Sequence, residues 1–116
     1  MAQFMLLLHD KLDGFPQLSQ DEMMAMIREY TAWTEQMIAD GRFLGGEKLK
    51  DEPGRSLMMG PSGIESHAGP FTEANEIIGG FMSITAADYD EAAEIAKTCP
   101  HVRYGRIELR EIDPLE

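Results

Sequence analysis

A chain of 116 residues with 21 acidic and 10 basic side chains carries a net charge of −11 and has the length of one domain, taken here as 1–116. That field repels nucleic acid and anionic membrane surfaces, and no Lys/Arg cluster offsets it, so neither is an expected partner. The single cysteine, Cys99, leaves no internal disulfide framework, and Phe4 to Leu8 is too short for a signal peptide or a membrane span, so the cytoplasm is the expected location.

Gln3 to His9 holds the apolar run Phe4-Met5-Leu6-Leu7-Leu8, the pattern of a central strand buried on both faces. A loop with Gly14 and Pro16 follows. Ser19 and Glu22 then form an S-x-x-E capping box, and Met23, Met26, Ile27, Tyr30, Trp33 and Met37 recur at helical spacing up to Gly41. Arg42 to Leu49 reads as a short strand with a bend at Gly45-Gly46. Ser56–Met59 and Ile64–Ala68, joined by Gly60-Pro61-Ser62-Gly63, read as a hairpin. Gly69-Pro70 demands a turn. Glu73 and Glu76, three apart, would share a face in a helical turn. Gly79-Gly80 marks a close approach of another backbone or a ligand before the alternating strand Phe81–Thr85. Asp88, with Glu91 three residues on, caps a second helix that Pro100 ends. Arg106 to Ile112 alternates strictly, as a strand with one wet face does.

This order predicts an α+β fold: a ferredoxin-like antiparallel sheet, two helices on one face, and an inserted hairpin. Two helices cover only one sheet face, so a homodimer that pairs sheet to sheet is expected.

The residues Gly69-Pro70-Phe71-x-Glu73-x-x-Glu76-x-x-Gly79-Gly80-Phe81 resemble the DGPF group of YCII-related proteins. The resemblance extends to His9-Asp10, to Asp40-Gly41-Arg42-Phe43-Leu44, to Ala92-x-x-x-Ala96-x-x-Cys99-Pro100, and to Gly105 through Arg110. It implies a dimeric α+β barrel whose two sheets enclose a cleft. In better-studied relatives a histidine on the first helix and an aspartate before the final loop are the supposed acid/base pair. Those positions look to be Tyr30 and Cys99 here, the namesake aspartate is Ala68, and the usual lysine between the glutamates is Asn75. The family's histidine–aspartate chemistry therefore does not transfer.

The candidate catalytic residues are His9, His67, Glu73 and Glu76. Neighbouring carboxylates in a cleft have their pKa values pushed apart and can act as acid and base, or they can simply cap the loop amides. His9 ends a strand and His67 precedes the motif, where a ring can point into a cleft and shuttle protons or lie on the surface. Tyr30, Trp33, Phe71 and Phe81 are the candidate ligand-contacting residues, although Tyr30 and Trp33 also fit core packing. The three histidines lack H-x-H, H-x-x-E-H or C-x-x-C spacing, so no metal site is expected. No cofactor-binding motif is present either. Three functions follow: a cofactor-free isomerase or lyase on a small organic molecule, a non-catalytic ligand-binding or accessory module, or, third in order, a purely structural interaction partner.

Overall fold

The structure is a computed structural model that describes residues 1–11, 17–69 and 75–115. The N-terminal apolar run forms β1, Ala2–Lys11. Ser19 caps α1, Gln20–Ala39: its hydroxyl accepts from the Glu22 N–H at 3.1 Å, and the Glu22 carboxylate accepts from the Ser19 N–H at 3.2 Å. β2 (Phe43–Lys48) follows, with a register irregularity between Phe43 and Gly45, where the glycine bend is expected. β3 (Arg55–Gly60) and β4 (Gly63–Ala68) form the predicted hairpin. β5 runs from Glu76 to Ala86, α2 from Tyr89 to Ala96, and a 3-10 turn from Pro100 to Arg103; β6, Arg106–Glu111, is the last strand.

The main sheet has the order β2-β5-β1-β6, with every pair antiparallel. This is the ferredoxin-like arrangement expected from the element order. β3 and β4 stand apart as their own two-stranded sheet. Glu76 is the first residue of β5, and Glu73, with which it would share a face in a helical turn, lies outside the described residues.

Side chains alternate across a strand, and the two faces of β1 have different fates. Phe4, Leu6 and Leu8 are buried with Trp33 and Met37 of α1, Ala92 and Ala96 of α2, and Cys99. Met5, Leu7 and His9 stand on the opposite face and are half-buried. Beside them on that face lie Phe81 and Ser83 of β5, and Arg106, Glu108 and Arg110 of β6. β1 is central, as its apolar run predicts, yet only one of its faces is fully closed within the single chain.

The stripe on α1 divides in the same way. Trp33 and Met37 are buried, whereas Met23 and Ile27 are about half exposed, at 46% and 50%. Only the C-terminal half of the helix lies on the core. Among the described residues no helix is long and apolar enough to cross a membrane.

The capping box gives a direct test of α1. Ser19 is exposed, so Ser19→Ala removes little besides the cap and should cost about 1 kcal/mol. A thermal melt should show Tm lower by a few degrees, with the circular dichroism spectrum otherwise retained.

Candidate functional site

Two clusters of acid/base groups meet at the C-terminal end of β1, one on each face of the sheet. On the open face, His9 Nε2 lies 2.9 Å from Glu108 Oε1. A carboxylate oxygen accepts, so Nε2 carries the proton, and the neutral ring has its lone pair at Nδ1. Nδ1 is 4.0 Å from Glu76 Oε1. Arg106, the cross-strand partner of His9, donates to the same carboxylate from Nη2 at 2.8 Å and from Nε at 3.3 Å. Those bonds hold the Glu76 carboxyl below its ordinary range, so Glu76 is a fixed anion.

His9, Glu76, Arg106 and Ile78 line a cleft of about 490 Å³. Its other wall is the segment between β2 and β3, including Leu49, Lys50 and Pro53.

On the helix face, Asp10 and His101 form the second cluster. The His101 ring, only 4% exposed, lies with Nε2 2.9 Å from the His9 main-chain oxygen. A carbonyl can only accept, so Nε2–H donates, and in the neutral ring Nδ1 accepts from the Tyr30 hydroxyl at 3.0 Å. Asp10 Oδ1 lies 3.7 Å from the same Nε2. Burial raises the Tyr30 phenol well above its ordinary range, aided by Cys99 and Asp10, so it keeps its proton. Burial also raises the Asp10 carboxyl, against the pull of His101.

Two glycines make room for this cluster. Leu8 pairs with Gly80 and His9 with Ile78, which leaves Gly79 as an extra residue in β5. A Cβ on Gly79 would collide with the Asp10 carboxylate, and one on Gly105 would collide with the His9 carbonyl and the His101 ring. The close approach expected at Gly79-Gly80 is therefore a side chain at Gly79. At Gly80 it is the backbone of β2, through Glu47 O.

Residues 2–116 match the YCII-related domain family. The chain belongs to that family. Among solved structures, this YCII-related protein is similar to the 5-chloro-2-hydroxyhydroquinone dehydrochlorinase of Burkholderia phenoliruptrix AC1100, solved with 2,5-dihydroxybenzoquinone. The TM-score is 0.54 at 14% identity, over 96% of this chain and 93% of that one. No curated protein matches it.

The structure brings together two of the expected catalytic residues, His9 and Glu76. His67 lies on β4, opposite Ser56 and 3.6 Å from Glu65, and does not line the His9 cleft. Glu73 and Phe71 lie outside the described residues. Of the expected ligand contacts, Phe81 stands on the open sheet face opposite Leu7, and Tyr30 bonds His101. Trp33 is in the core, its Nε1 donating to the Thr98 hydroxyl at 2.8 Å, beside a second cavity between the helices.

Glu108, Arg106, Asp10 and His101 are absent from the sequence-derived site. The period-two pattern of β6 does put Arg106 and Glu108 on one face, but their partner His9 is 99 residues from Glu108. Nothing local links them.

The raised Asp10 carboxyl makes a prediction about pH. A carboxyl whose folded pKa lies above its unfolded value destabilises the fold once ionised, so its stabilising contribution is present at low pH and is lost as pH rises through the folded pKa. The near-isosteric Asp10→Asn removes that loss. Its Tm should exceed wild type near pH 7, with the gain shrinking as pH falls toward the ordinary aspartate value of about 4. Thermal melts across pH 3 to 8 check it.

Proposed function

We propose that this YCII-related protein binds a small organic molecule in the cleft at His9 and moves a proton there with its own side chains. The observation that carries the reading is the Glu108–His9 hydrogen bond, which leaves Nδ1 as a base beside a cleft of about 490 Å³. Glu108 fixes the tautomer and orients the ring. When Nδ1 takes a proton from the substrate, the imidazolium lies between the Glu108 carboxylate and the Arg106-held Glu76 carboxylate, and both stabilise its charge. Return of that proton to another substrate atom is an isomerisation. Departure of a leaving group from the carbanion is an elimination.

The active unit in this reading is a homodimer. Met5, Leu7 and Phe81 form the apolar centre of a sheet face that no helix among the described residues covers, and pairing two such faces encloses the clefts as a dimeric α+β barrel. Hydroxylated quinones and hydroquinones are the first compounds to test, since the structural neighbour was solved with one.

A binding or accessory role for the same cleft has one observation in its favour. Arg106 keeps Glu76 ionised, so the cleft holds an anion that offers no proton. Ligand stabilisation without product would support that role.

The test is a thermal-shift screen followed by turnover on the hits. His9→Ala should lower kcat by about 10²–10⁴-fold, the usual worth of a general acid/base. Glu108→Gln should lower it as well, with the fold retained. Full turnover in His9→Ala would overturn the assignment.

A further inference from the structure

We propose that the β3–β4 hairpin is an arm that roofs the His9 cleft of a second copy of this chain. The proposal rests on the dimer reading above and gives that dimer a residue-level contact.

The arm has an apolar face that its own chain leaves open. Leu57 and Met59 are two apart on β3, and Ile64 is directly across from Met59, so the three share one face. They are 69%, 73% and 71% exposed. A lone two-stranded hairpin is marginally stable in water, and this one forms a sheet separate from the main sheet. Its base is closed locally: the Gly69 N–H donates to Gly54 O at 2.9 Å, and the Ser56 hydroxyl donates to Gly69 O at 2.8 Å. Among the described residues nothing comparable anchors its apolar face.

The cleft has the complementary need. Leu49 and Ile78 line it and are 40% and 42% exposed. None of the arm's three apolar side chains lines the cleft of its own chain. The segment that leads into the arm, through Pro53 and Gly54, is nevertheless the cleft wall, so the arm springs directly from the cleft mouth.

Area decides the occupant. Three side chains fall short of the ~800 Å² per partner that a stable interface buries, and so does the cleft mouth. A two-fold contact uses each surface twice, arm on cleft and cleft on arm, and joins both to the open sheet face. A second copy is the partner that carries both surfaces at once. Each cleft is then completed by Leu57, Met59 and Ile64 of the other copy.

The test mixes two full-length variants, Met59→Cys and Ile78→Cys, under mild oxidation; the buried Cys99 is left in place. The mixture should give a disulfide-linked species of twice the chain mass, and neither variant alone should do so. Leu57→Asp with Met59→Asp, its fold checked by circular dichroism, should weaken the dimer at least tenfold in light scattering. A dimer without the cross-link, undisturbed by the charged arm, would overturn the arm and leave the sheet-paired dimer standing. A monomeric wild type would overturn both. The cross-link needs no ligand, so its outcome is independent of whether His9 turns a substrate over.

Discussion

One hydrogen bond joins the two faces of the sheet at the end of β1: His101 Nε2–H to the His9 carbonyl, across 92 residues of sequence. Because the acceptor is a carbonyl, the bond fixes which nitrogen carries the proton, and the rest follows from valence. Nδ1 turns to Tyr30, Tyr30 gives its hydroxyl proton to that bond, and burial ensures that it has one to give. The same bond holds the backbone of His9, whose ring on the far face must reach Glu108. A change at His101 is thus felt on both sides of the sheet.

Room for this bond is secured by what is missing around it. Gly105 admits the His9 carbonyl and the His101 ring, and Gly79, the extra residue of β5, admits the Asp10 carboxylate. A β-bulge usually re-aims a side chain. Here it also empties the position where a side chain would exclude Asp10. Sheet geometry and acid/base chemistry are the same constraint at this point of the fold.

Much of the fold was legible because its signals are local. The capping box at Ser19, the turn at Gly60-Pro61-Ser62-Gly63 and the alternation of β6 each lie within a few residues, and the elements formed where those signals stand. The helical stripe was legible only as periodicity: Met23 and Ile27 carry the same pattern as Trp33 and Met37 but are exposed, because periodicity does not say how far a helix overlaps its sheet. The site was less legible for a related reason. His9 is visible as a histidine at a strand end, yet its partners Glu108 and Arg106 are chosen by strand register, which no short motif encodes. His101 sits in a 3-10 turn that reads as plain loop.

Tyr30 and Cys99, which the resemblance puts at the family's histidine and aspartate positions, acquire a physical meaning from this arrangement. Burial raises both groups, so the phenol and the thiol keep their protons and neither is a base. The imidazole beside Tyr30 comes instead from His101, and its two nitrogens are both engaged within the chain. On the helix face Tyr30 and His101 are therefore occupied with holding the fold, and Asp10 is a carboxyl that burial discourages from ionising. One residue earlier on β1, alternation sends His9 to the other face, where Glu108 takes one nitrogen and the second faces a cleft. The proposed proton transfer belongs to that open face, which is also the face that the proposed dimer closes.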